Sequence, residues 1–501
     1  MRLAPILVLA AALALGALAL LRLNAGAEGL SVARVAVEGT PATLHWRDGA
    51  PPGPAVLIAH GFSGSARLME AFALDLAQAG YLAVSYDALG HGRNPAPLSG
   101  DVAREDGATE RLLAEMATVA QWARAQPQSD GRIAVLGHSM AADIVVRHAQ
   151  RHPETQAVVA VSMFSPVVTA DSPRNLLVVV GALEGGLTDE AVRVLRLTAG
   201  PEAGEGETFG DFDSPGFGAR RVVFADGVEH VGVLFATESL REARGWLDAA
   251  FGRTSDAAPP RARGPWIVAL IAAAVAAAWP LSRLLPRLAE PSRAFGWRDV
   301  ALIGGLPAVA TPLILWPTDI RFLPIAVGDY LALHFALFGA LMWLGLALRR
   351  GLPKGGVSTG RLALAALAAA LFALVVVGGV IDQFVTSFAP TPERLPLFAA
   401  LLPGTLLYFL ADERLTRSGP PGAYAATKLL FLMSLALAVA LNLPRLFFLI
   451  ILAPPLVAFF AVFGLFSYWA HRRTGHWAVG GLANAAIFAL AIAVTFPMVA
   501  G

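Results

Sequence analysis

Beyond Gly264 the sequence repeats one feature that fixes its architecture, a run of apolar residues roughly twenty long, again and again. Such a run spans the ~30 Å hydrocarbon core of a bilayer as a helix, because only a helix satisfies its backbone polar groups within the segment. The runs predict spans over 266–282, 300–317, 323–348, 362–386, 395–411, 428–444, 446–470 and 477–499, an all-α transmembrane domain of eight helices filling residues 266–501. A further uncharged run, Leu3 to Leu21, reads as an N-terminal transmembrane anchor over residues 1–23. The alternative is a signal sequence, with Ala25-Gly26-Ala27 as its cleavage site. Hydrophobic residues fill 56% of the 501 positions, above the roughly 45–50% usual for soluble proteins. An ordinary cytosolic enzyme is excluded.

The formal net charge of +1 averages two unlike parts. Residues 1–260 carry 20 Lys+Arg against 29 Asp+Glu, and residues 261–501 carry 18 against 8. The basic excess is a topology signal, since positive charge is retained on the cytoplasmic side of short connections. Connections holding Arg283, Arg287, Arg293 and Arg298, then Arg349, Arg350, Lys354 and Arg361, then Arg414, Arg417 and Lys428, then Arg472 and Arg473 alternate with connections holding only Arg321, Arg394 or Arg445. With Arg2 inside, residues 24–265 and the C-terminus fall outside; Arg22, Arg261 and Arg263 are the exceptions to this scheme. Arginine outnumbers lysine 36 to 2, a bias that points to a GC-rich bacterial genome. The expectation is a multi-pass protein of the bacterial cytoplasmic (inner) membrane, its large hydrophilic segment on the periplasmic side. The chain has no cysteine, which excludes disulfides and a thiolate nucleophile. Neither its net charge nor its apolar basic half suits nucleic acid.

Residues 30–253 alternate short β-branched runs with helix-length stretches, the pattern of an α/β domain with a mostly parallel sheet and helices on both faces. Strands are expected at 55–59, 81–86, 132–136, 157–161, 176–180 and 221–225, with an antiparallel pair at 32–37 and 42–46. Helices are expected near 66–79, 104–126, 140–151, 188–197 and 236–251, a loop over Pro201 to Pro215, and a linker at 254–265.

The chemistry lies at strand ends. Gly137-His138-Ser139-Met140-Ala141 follows the strand 132–136 and opens a helix. A serine at such a sharp turn presents its Oγ above the sheet, with small neighbours because the backbone is tightly folded. His60-Gly61-Phe62 ends an earlier strand, where a backbone N–H can point at a developing oxyanion. Glu184 and His230 each lie just past a later strand and complete the order serine, acid, histidine. Serine needs an imidazole to take its proton and a carboxylate to orient that imidazole.

These pieces, with the Asp87 to Asn94 segment, make the chain resemble the α/β-hydrolase superfamily over roughly residues 50–253. The resemblance implies Ser139 as nucleophile, His230 as general base, Glu184 as the acid, and the Phe62 and Met140 amides as oxyanion hole. Ala141 stands where the family usually has glycine and Glu184 where aspartate is more usual; Asp189 and Asp211 remain alternative acids. His91 reads as structural, His138 as a group at the pocket rim, His60 as holding the oxyanion loop, and His45, His148 and His152 as surface residues. No metal site is expected, since Pro153 ends the helix of His148 and His152 and no third ligand is evident. No cofactor is implied.

Only Phe164 to Asn175 occupy the place where many members of the family insert a cap, so a lid-less pocket is expected, suited to a bulky ester or lipid-like substrate. Asp329, His334 and Asp382 are the ionisable groups read within or near the spans; such groups usually face a cavity or each other, so the expectation is either a polar membrane pocket shared with the exported domain or two carboxylates reaching interfacial water. The reading is a membrane-anchored serine hydrolase of carboxylic esters in contact with membrane lipids. Its rivals are an acyltransferase using the same triad, a peptidase of the prolyl-oligopeptidase type, and a transporter or scaffold carrying an exported binding module.

Overall fold

The computed structural model describes residues 3–100, 105–291, 294–350 and 357–500. Arg2, Arg293 and Lys354 of the charge count, and the first residue of the helix expected at 104–126, lie outside them. The chain divides into two compact units, one of residues 18–269, 381–387 and 497–501, the other of residues 1–17, 270–380 and 388–496.

The first unit holds a nine-stranded sheet: β1 (Leu30–Val37), β2 (Thr40–Arg47), β3 (Gly53–Ala59), β4 (Leu82–Tyr86), β5 (Ser129–His138), β6 (Thr155–Val161), β7 (Leu176–Gly181), β8 (Thr208–Gly210) and β9 (Ala219–Ala225). Their spatial order is β1-β2-β4-β3-β5-β6-β7-β9-β8. From β4 to β9 all neighbours run parallel, while β1, β2 and β8 pair antiparallel at the two edges. The alternation of apolar side chains explains the layering. Ala55 and Leu57 of β3 with Val135 of β5 join the core on one face, and Val56, Ile58 and Leu136 join the core on the other. Helices α2 (Glu70–Gln78), α3 (Glu110–Arg124), α4 (Met140–Arg151), α5 (Gly185–Ala199) and α6 (Thr237–Ala250) cover the two faces.

Two expectations are corrected here. The stretch 201–215 is not all loop, because Thr208–Gly210 pairs with β9 and closes the sheet edge. His45 and His148 are buried rather than on the surface. His45 lies on β2, and His148 stacks on His152 at 4.3 Å between ring centroids.

Among the described residues, nine helices are long and apolar enough to cross a membrane. They are α1 (Leu3–Asn24), which opens the chain, then α7 (Gly264–Leu281), α8 (Trp297–Leu315), α9 (Gly328–Arg350), the pair α10 (Thr359–Leu371) and α11 (Gly378–Phe384) joined by a π-helical stretch into one span, α12 (Leu395–Arg417), α13 (Ala423–Leu441), α15 (Phe448–Thr474) and α16 (Ala478–Thr495). The four-residue α14 (Leu443–Leu446) separates α13 from α15.

The second unit buries more charge than the sequence suggested. α12 runs on through Arg417, so Asp412 and Glu413 are helical and fully buried. Lys428 sits on the second turn of α13, where it pairs with Asp412 and faces the rings of Tyr408 and Tyr424. Arg417 pairs with Glu413 at 2.8 Å. Opposite charges satisfy one another, between helices for Lys428 and Asp412 and within α12 for Arg417 and Glu413, which is how ionised groups persist away from water.

Candidate active site

β5 ends at His138 and α4 begins at Met140, leaving Ser139 alone at the turn. Its backbone is left-handed (φ 55°, ψ −118°), a conformation that costs a non-glycine residue on the order of 1–3 kcal/mol and that clusters at functional sites. The turn is held by the Ser139 amide, which donates to the Val161 carbonyl of β6 at 2.9 Å, and by its carbonyl, which accepts from the Ala142 amide at 2.9 Å. Gly137 is required because a Cβ there would collide with the Ala141 carbonyl. A Cβ at Gly61, past β3, would come within 2.9 Å of the Ser139 Cβ and 3.1 Å of His138 Nδ1. The strand ends that carry Ser139 and Phe62 thus touch through glycine, and Phe62 packs edge-on against His91 with 5.8 Å between ring centroids.

The loop after β9 brings His230 over this turn. His230 Nε2 lies 2.9 Å from Ser139 Oγ, and His230 Nδ1 lies 2.5 Å from Glu184 Oε2. The other carboxylate oxygen, Oε1, accepts from Ser162 Oγ at 2.7 Å and from the Gly181 amide at 2.7 Å. Burial alone would raise the Glu184 carboxyl, but the hydrogen bonds from His230, Ser162 and Gly181 outweigh it and hold the group below the usual carboxylate range. The alternative acids Asp189 and Asp211 are exposed and stand in no hydrogen bond to His230.

Two histidines brace the site. His138, expected at the rim, is buried; its Nε2–H donates to the His230 carbonyl at 2.9 Å and its ring lies 4.8 Å from that of His230. Burial, reinforced by the neighbouring His230, lowers the His138 imidazole to about 3, so it is neutral and acts as a strut. His60 donates from Nδ1 to the Gly61 carbonyl at 2.8 Å and accepts from the Ala88 amide at Nε2, 3.1 Å away. It joins the Phe62 loop to the Asp87 to Asn94 segment, which Asp87 and Glu115 stitch down: the Arg93 amide donates to Asp87, and the Leu89 amide, Thr40 and Asn94 donate to Glu115.

Sequence reasoning missed Ser162 and Glu115. Ser162 had a visible signal, a polar residue directly after the apolar strand β6; Glu115, on the buried face of α3, had none. The remaining sequence candidates each have partners of their own. Asp329 accepts from the Phe322 and Leu323 amides at 2.8 and 2.5 Å, and His334 meets Tyr330 and Ser434 at 3.3 and 3.1 Å. Arg93 Nη2 lies 2.9 Å from both carboxylate oxygens of Asp382.

Large exposed apolar side chains lie next to the triad residues in the chain. Leu183 (67% exposed) precedes Glu184, Val231 (41%) follows His230, and Phe164 (64%) lies two residues past Ser162. Among the described residues, β6 and β7 are joined by turns alone, with no inserted cap helix between them.

A family described as serine aminopeptidase, S33, matches residues 50–197. Among solved structures, the chain is similar to a dienelactone hydrolase from Anabaena variabilis (18% identity, 44% of this chain and 98% of that one, TM-score 0.33). It is similar also to an epoxide hydrolase from Vigna radiata (15%, 44% and 98%, TM-score 0.32) and to a membrane phospholipase A described as a bacterial virulence factor (16%, 48% and 92%, TM-score 0.32). No curated protein matches the chain.

Proposed function

The chain carries an α/β-hydrolase-type enzyme domain, and on that premise we propose that it is a membrane-anchored serine hydrolase of carboxylic esters, working through an acyl-enzyme on Ser139. The observation that carries this reading is the chain of contacts from Ser139 Oγ to His230 Nε2 (2.9 Å) and from His230 Nδ1 to Glu184 Oε2 (2.5 Å). His230 takes the Ser139 proton as Oγ attacks the ester carbonyl, and the Met140 and Phe62 amides stabilise the oxyanion. The imidazolium then protonates the leaving alcohol, and a water deprotonated by the same imidazole releases the acid. Glu184 stays ionised throughout and fixes the Nδ1–H tautomer.

Phe164, Leu183 and Val231, exposed and within two residues of Ser162, Glu184 and His230 in the chain, favour an apolar acyl group. The nine apolar helices favour membrane anchoring, and the arginine alternation favours an extracytoplasmic enzyme domain. The same acyl-enzyme could pass its acyl group to an alcohol instead of water, which would make the protein an acyltransferase. A second reading, an aminopeptidase, is favoured by the description of the matching family.

Fluorophosphonate labelling of the purified full chain, compared with Ser139→Ala, tests the reading. Labelling that requires Ser139 is expected; a folded preparation with none would overturn the enzyme reading. Turnover of acyl esters of graded chain length, with and without an alcohol acceptor, set beside aminoacyl amides, then separates esterase, transferase and peptidase.

A further inference from the structure

Three arginines break the charge alternation of the membrane connections: Arg22, Arg261 and Arg263. They are not scattered. All three line a single cavity of about 170 Å³, together with Glu28, Asp75 and Gln78. One water needs only roughly 10–15 Å³, so this cavity takes a ligand of several heavy atoms.

Its depth follows from chain connectivity. Arg22 lies two residues before the end of α1, and Arg263 directly precedes Gly264, where α7 begins. Two or three residues reach at most about 10 Å. These side chains therefore stand where two apolar helices leave the hydrocarbon, at the level of lipid headgroups.

The arginines differ in what they already hold. Arg263 is buried and satisfied, donating to the Leu23 carbonyl at 3.0 Å and to Glu70 Oε2 at 2.8 Å. Arg22 and Arg261 are exposed and form no ion pair among the described residues; the Arg22 guanidinium lies 5.6 Å from the Trp266 ring centroid. In the cavity wall, the Asp75 side chain is only 8% exposed. Its Oδ1 takes Arg244 at 3.4 Å, while its Oδ2 is buried with no hydrogen-bond partner. An orphaned buried carboxylate oxygen calls for a donor, and two unpaired guanidinium forks call for an anion with several oxygens. A free anion alone would leave Asp75 unanswered.

We infer that this cavity binds the headgroup of a glycerophospholipid, its phosphate between Arg22 and Arg261 and its ammonium or hydroxyl donor at Asp75. The site is separate from the Ser139 chemistry and stands or falls without it. It also accounts for arginines on the face of the membrane that the charge rule disfavours, because a lipid phosphate neutralises them in place.

Native mass spectrometry of the full chain in detergent tests this, with dioleoyl phosphatidylethanolamine, dioleoyl phosphatidylglycerol, dioleoyl phosphatidate and soluble glycerol 3-phosphate as probes. One phospholipid retained per chain is expected, weakened about tenfold or more in the Arg22→Ala/Arg261→Ala variant. Arg283→Ala/Arg287→Ala, on another connection, should leave retention unchanged. Asp75→Asn keeps the arginines and should weaken phosphatidylethanolamine and phosphatidylglycerol relative to phosphatidate, which lacks the donor. Equal retention in the Arg22→Ala/Arg261→Ala and Arg283→Ala/Arg287→Ala variants overturns the site. Displacement of the lipid by an equal concentration of glycerol 3-phosphate overturns the lipid as its ligand, and an unchanged lipid preference in Asp75→Asn overturns the role of Asp75.

Discussion

Ser162 Oγ donates to Glu184 Oε1 at 2.7 Å, while His230 meets the opposite oxygen, Oε2, at 2.5 Å. The carboxylate is thus held at both ends, and its rotation is fixed before substrate arrives. A hydrogen bond to a charged group contributes about 1.5–3 kcal/mol. Ser162 has a left-handed backbone (φ 53°), so Ser162→Gly removes the hydroxyl without adding strain. Steady-state kinetics on a chromogenic ester should show kcat lowered roughly tenfold in Ser162→Gly with KM little changed. An unchanged kcat would mean that His230 and the Gly181 amide orient Glu184 without Ser162.

Glu184 itself should matter far more than the other acids. Glu184→Gln is expected to lower kcat by about 10³–10⁴-fold, as loss of the orienting carboxylate does in serine triads. Asp189→Asn and Asp211→Asn should stay near wild type, because both side chains are exposed and away from His230. A large loss in either of these two with Glu184→Gln active would reassign the acid.

The close approach at Gly61 gives a steric test. Gly61→Ala places a methyl 2.9 Å from the Ser139 Cβ, so the Phe62 loop must shift. Loss of one oxyanion donor costs roughly 10²–10³ in rate, and the fluorophosphonate labelling rate should fall by about that much. Gly186→Ala on α5 is the control, since nothing lies within 4 Å of a Cβ there.

Acid should destabilise the enzyme domain through its buried histidines. Burial first, and then neighbouring histidines for His138 and His148 and arginines for His45, lower His138 to about 3 and His45 and His148 to about 4, from an ordinary value of 6.5. The fold therefore favours the neutral rings, and between about pH 4 and 6.5 the unfolded chain binds more protons than the folded one. The stability gained from neutral histidine is complete above pH 6.5 and lost as pH falls below it. Thermal melts from pH 7.5 to 4.5 should show a falling Tm, with a shallower slope in His45→Gln/His148→Gln. A parallel slope in that variant would assign the acid sensitivity to carboxylates.

Nine helices among the described residues are long and apolar enough to cross a membrane, and on the proposed topology, with a cytoplasmic N-terminus, nine crossings put a reporter fused after Gly501 outside. Alkaline phosphatase activity from that fusion is the expected result. A fluorescent cytoplasmic reporter at the same point would mean that one span does not cross.

What the sequence determined by itself is everything set by local period and length. Apolar runs of membrane length marked the helices, short β-branched runs marked every strand but β8, and the order Ser139, Glu184, His230 at strand ends marked the site. Tertiary structure decided what depends on partners far along the chain. Glu184, 46 residues from His230, became the acid that touches it, while Asp189 and Asp211 stayed in water, because strand order places the end of β7 beside the end of β9. Lys428 looked like a charge of a membrane connection and is buried instead, since hydropathy along one segment cannot register that the neighbouring helix supplies the opposite charge, Asp412. Arg22, Arg261 and Arg263 looked like violations of a rule until folding gathered them, from points some 240 residues apart, around one cavity. Pattern fixes an element; only packing fixes what a charged side chain faces.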